Sequence, residues 1–120
     1  MIVNIYLSRD SVCAGDDGDA PHSKQIVVAD GASIEDILSN LSRSGYLPSI
    51  AGGKATWSAS SNVPLGVVAQ EWAKPKLFFR IFDDLLDIED KTLRIHFSYH
   101  TQIDPDVVYE VLSRLTLRAV

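Results

Sequence analysis

Leu93-Arg94-Ile95-His96-Phe97-Ser98-Tyr99 decides the fold class of this 120-residue chain. Leu93, Ile95, Phe97 and Tyr99 alternate with Arg94, His96 and Ser98, the period of two expected of a strand with one buried and one wet face. Toward the N-terminus, residues 2–7 read Ile-Val-Asn-Ile-Tyr-Leu with Val3, Ile5 and Leu7 on one parity, and residues 25–29 form a second β-prone run. Between them residues 8–24 hold Gly15, Asp16, Asp17, Gly18, Asp19 and Pro21, a long turn-rich connection. Residues 54–58 and 63–72 predict two further strands joined near Ser60-Ser61-Asn62, with Val63, Leu65, Val67 and Ala69 sharing a face. Pro64 marks an edge or a strand beginning, since it has no N–H for a ladder. Residues 77–82 are another apolar run.

Two segments change period. Ser33 followed by Asp36 predicts a helix start in which the hydroxyl accepts an orphan N–H, and Ile34, Ile37, Leu38 and Leu41 recur at helical spacing to about Arg43, with Gly45 as the stop. Asp104-Pro105 predicts a cap followed by proline in the first turn, where its missing N–H costs nothing. Val107, Val108, Val111, Leu112 and Leu115 then trace an apolar stripe. The expected architecture is one α+β domain over residues 1–120: a single mixed sheet of five to six strands, one helix packed across it, and a C-terminal helix. The opening strand-strand-helix order, with Asp30-Gly31-Ala32-Ser33 leading into the helix, resembles the β-grasp arrangement of ubiquitin-like folds. Modifiers and sulfur carriers of that kind work through a C-terminal Gly-Gly, whereas this sequence closes on Leu117-Arg118-Ala119-Val120, so the resemblance implies no carrier role.

Composition narrows the function. Eleven basic against sixteen acidic side chains give a formal charge of −5, which opposes phosphate binding, so no nucleic-acid partner is expected. One cysteine, Cys13, has no internal partner, no signal-peptide pattern opens the chain, and no apolar run approaches the roughly 18 to 20 residues that span a bilayer. A cytoplasmic protein without a membrane partner is the expectation. Cys13 with His22 does not make a nucleophile by spacing alone, because reactivity needs a depressed pKa and an oriented base. Gly52-Gly53-Lys54 lacks the earlier glycine and the following hydroxyl of a phosphate loop.

Three polar clusters stand out. Asp16, Asp17 and Asp19 with His22 offer hard oxygen and imidazole ligands, or else a solvated turn. His96 and His100 are four apart, but on a strand rising about 3.3 Å per residue they would sit roughly 13 Å from one another, too far to share an ion. Asp83, Asp84, Asp87, Glu89 and Asp90 put five acids into eight residues, flanked by Arg80 and Lys91. Such a segment is either a solubilising turn or a local negative potential that speeds encounter with a basic partner. Trp72 is expected in the core or at a contact surface.

A small, acidic, single-domain chain with an asymmetric acidic segment resembles bacterial immunity proteins, the inhibitors held against secreted toxins. That resemblance implies a protein-binding module without catalysis, cofactor or metal. Its partner would be a basic protein such as a secreted toxin domain, met by Asp83, Asp84, Asp87, Glu89 and Asp90 first and by Asp16, Asp17 and Asp19 second. The competing expectation is a small metal-dependent hydrolase or ligand-binding enzyme using Asp16, Asp17, Asp19 and His22. Pairing of copies through an edge strand is a third.

Overall fold

A computed structural model describes residues 4–12, 18, 20, 22–29, 31–48, 52–78 and 86–118, with the side chains of 115–118 excepted. The protein is α+β, and its described residues form one mixed sheet and two helices. Its described strands are β1 (Asn4–Arg9), β2 (Lys24–Val27), β3 (Thr56–Ser61), β4 (Val63–Ala69), β5 (Lys76–Leu77), β6 (Ile88–Glu89) and β7 (Thr92–Tyr99). The helices are α1 (Ile34–Arg43) and α2 (Pro105–Arg118). The sheet order is β2-β1-β7-β3-β4-β5, with β6 pairing alongside the start of β7. The expected five to six strands become seven because β5 and β6 are two-residue pairings too short to show a period.

The strand-strand-helix opening is present in that order, with β1 and β2 antiparallel. The pairing that organises the molecule is β1 with β7, parallel, which brings Ser8 opposite His96 across 88 positions of chain. Ile5 and Leu7 thereby join Leu93, Ile95 and Phe97 on one face, all of them essentially without exposed surface. Trp57 and Ala59 of β3 extend the same face, and Ile37, Leu38 and Leu41 of α1 close it. The Ser33 hydroxyl accepts from the Asp36 N–H at 3.1 Å, Glu35 and Asp36 sit in the positive first turn, and Gly45 (φ +85°) turns the chain away.

The second face is divided. α2 lies against β4, where Val67, Phe78 and Val108 form a smaller buried cluster with Trp72, Tyr109 and Leu112 packed on it. Phe78 and Tyr109 stack at 4.8 Å, and the Tyr109 hydroxyl donates to the Leu77 carbonyl. A bulge makes both faces of β4 useful. Ala59 pairs with Gly66 and Ser60 with Pro64, leaving Leu65 as the extra residue. The expectation that Val63, Leu65, Val67 and Ala69 share a face is corrected by that inserted residue: Leu65 joins Val68 in the main cluster, while Val67 points to α2. Gly66 is held to glycine here, since a Cβ would stand 2.6 Å from the Lys76 carbonyl oxygen. Trp72 lies beyond the end of β4, so strand parity does not apply, and it packs in the second cluster beneath Lys76.

α2 begins as expected, with the Asp104 carboxylate accepting from the Asp106 N–H at 2.9 Å and Pro105 next in line. Its stripe is narrower than the sequence pattern. Val108 is buried and Leu112 partly so, but Val107 and Val111 are 49% and 52% exposed, because the helix meets the sheet along one ridge at the β4 end. No helix among the described residues is long and apolar enough to cross a membrane.

Candidate functional site

Where α2 ends its coverage, the outward rows of β1 and β7 face solvent. Tyr6, Ser8 and Asp10 come from β1 and the residue after it; Arg94, His96 and Ser98 come from β7. These are the positions of opposite parity to the core residues, so the alternation that buries Phe97 also presents His96.

The parallel register puts three of them in a row. Ser8 Oγ lies 2.8 Å from His96 Nδ1, and His96 Nε2 lies 2.9 Å from Asp10 Oδ1. Asp10 is held in turn by the Tyr99 backbone N–H, which donates to Oδ2 at 2.9 Å, and by its own N–H on the Phe97 carbonyl. An ionised carboxylate only accepts. With the ring neutral, Nε2 therefore carries the proton toward Asp10, and the Nδ1 lone pair accepts the Ser8 hydroxyl. His96 and Asp10 keep 39% and 46% of their side-chain surface exposed, so the row is reachable from solvent.

A second histidine follows on the same outward row. His100 Nε2 lies 2.7 Å from the hydroxyl of Ser58, a buried β3 residue. Burial lowers the His100 pKa below the usual imidazole value, and the negative charge of Asp10 opposes that shift. Each ring thus has its own serine, and among the described residues no group of three potential ligands gathers to hold a metal.

The acidic segment is reached in part. Asp83 and Asp84 lie outside the described residues, as do Asp16, Asp17, Asp19 and Cys13. Asp87 and Glu89 flank Arg94 of β7, at 3.6 and 3.4 Å from its guanidinium. Asp90 and Lys91 form the two-residue turn between β6 and β7, both with positive φ (50° and 62°), the geometry that suits a tight hairpin. His22 is bonded through Nε2 to the Ser11 hydroxyl at 3.1 Å, and its carbonyl accepts from Tyr46, whose phenol is pushed up to about 12 by burial.

Ser8 and Asp10 were not singled out in the sequence, where both fall in the turn-rich connection of residues 8–24; β1 instead runs on through Ser8 to Arg9, because its pairing with β7 continues that far. The signal available was an S-x-D pair after the first apolar run and a histidine on the wet face of a strand. Nothing in either segment states that the two strands are neighbours.

Compared with protein-family models, curated proteins and solved structures, the chain finds no match.

Proposed function

We propose that this chain is a protein-binding module, most concretely an immunity-type inhibitor acting in the cytoplasm, which covers a cationic surface of a bacterial toxin. The observation that supports the reading is the second face of the sheet, half-uncovered by the described residues and edged by the acidic β6–β7 hairpin. α2 closes the β4 side, and β1 and β7 are left as a firm, hydrogen-bonded platform. Rigid elements keep the cost of ordering low when a partner docks. Asp87, Glu89 and Asp90 stand on the rim of that platform, and the chain as a whole carries −5, so a basic partner is steered toward it. Arg94 does not quench the rim. Its pairs with Asp87 and Glu89 are exposed, and exposed pairs contribute about 0 to 1 kcal/mol, so exchange for a partner's lysine or arginine costs little. Tyr6, 37% exposed on the platform and bonded through its hydroxyl to Ser23, supplies an amphipathic anchor of the kind that dominates binding energy. Asp83, Asp84, Asp16, Asp17 and Asp19 belong to the proposed contact surface by their sequence alone.

The test is comparative capture from the native cell. Wild type should retain a basic protein in one-to-one ratio, with an association rate that falls as salt rises. The triple variant Asp87→Asn, Glu89→Gln, Asp90→Asn should associate about tenfold more slowly at low salt while unfolding at an unchanged denaturant midpoint; asparagine at 90 tolerates the positive φ there. Equal association rates at low salt would remove the rim from the interface.

A further inference from the structure

The row Ser8, His96, Asp10 has a chemistry that protein binding does not use. We propose that it is a nucleophile, general base and orienting carboxylate, and that the chain hydrolyses small acyl esters on the open face of its sheet. This activity goes beyond the binding reading and does not depend on it.

Three observations carry it. First, the hydrogen bonds run in the productive sense: an acceptor-only carboxylate on Nε2 leaves Nδ1 as the base for the Ser8 hydroxyl at 2.8 Å. Second, the orienting group is itself fixed, since one oxygen of Asp10 holds the ring while the other takes the Tyr99 N–H. A carboxylate on mobile side-chain bonds alone would hold neither tautomer nor ring angle. Third, Ser8 and His96 border a pocket of about 210 Å³ that also takes in Tyr6, Asn62 and Arg94. Asp87 lines it as well and pairs with Arg94, so the pocket beside Ser8 is polar. Ligand pockets generally run from about 300 Å³ upward, so this one suits a short acyl group.

The reaction balances without a further reagent. Ser8 Oγ bonds to the ester carbonyl carbon as its proton passes to His96 Nδ1. The carbon–oxygen bond to the alcohol then breaks, with that proton returned to the departing alcohol. Water attacks the acyl-serine, giving its proton to Nδ1, and the carboxylic acid leaves as the proton returns to Ser8 Oγ. Nothing is oxidised or reduced.

Diisopropyl fluorophosphate is the probe: Ser8 Oγ bonds to phosphorus and fluoride leaves. Treated wild-type protein, digested and read by mass spectrometry, should carry one phosphoryl adduct, on Ser8, and none in Ser8→Ala. The adduct should form about 100-fold or more slowly in His96→Gln and in Asp10→Asn, the range that a positioned base contributes. One variant removes the ring and the other only the charge that orients it, so a folding defect in one leaves the other to decide. If folded wild type labels Ser8 no faster than its other serines, or if both variants label as fast as wild type, the proposal is overturned.

Discussion

The two faces of β7 share a backbone and differ in everything else. Leu93, Ile95 and Phe97 are sealed beneath α1, whereas Arg94, His96 and Ser98, one residue along in each case, look out past the end of α2. The sealed face is held by contact area, which has no direction and tolerates many side chains of suitable size. On the open face the side chains are held by directed bonds: Ser8 to His96 to Asp10, and Arg94 between Asp87 and Glu89. Packing therefore resides on one side of the strand and directed bonding on the other, and substitutions on the two sides should separate cleanly.

The largest separation is expected between Phe97→Ala and Arg94→Ala. Phe97 is fully buried and meets Tyr46 edge-on at 6.2 Å, so its truncation leaves a cavity and should cost about 3 to 5 kcal/mol in urea unfolding. Arg94 loses two exposed ion pairs, and the expected change is within about 1 kcal/mol. Comparable losses at both positions would mean that the outward row is also packed.

How much of this was legible follows the same divide. The sealed face was open to reading because burial writes a local period: Leu93 to Tyr99 alternates, Ile34 to Leu41 recurs at helical spacing, and Ser33 and Asp104 announce their helices through bonds three or fewer residues away. The open face was not, because its partners are set by which strands adjoin. Ser8 and His96 are 88 residues apart, and only the parallel β1–β7 register makes them neighbours. The bulge at Leu65 defeats parity for a related reason, since one inserted residue reverses the face of everything after it. Val107 and Val111 fit the helical stripe in sequence yet stay exposed, because how much of a stripe is used depends on where the helix lands.

A smaller effect sharpens the contrast within the outward row itself. His100, unlike His96, sits on a buried serine, and burial holds its pKa below the usual value, with Asp10 partly offsetting. The unfolded chain then takes up the proton first. Stability should decline as pH falls from about 6.5 through the lower folded-state pKa and level off beneath it. Urea midpoints across that window should show the decline in wild type and a flatter profile in His100→Gln. An unaltered profile would place the pH dependence on other groups.

β1 lies parallel to β7 with Ser8 and Asp10 on either side of the His96 ring, and nitrogen-15 spectra of the imidazoles read that arrangement directly. The neutral His96 ring is expected as the Nε2–H tautomer, with cross-strand proton contacts from its backbone to Ser8. A neutral ring with its proton on Nδ1, or a β1 whose backbone contacts run to a different register of β7, would contradict it.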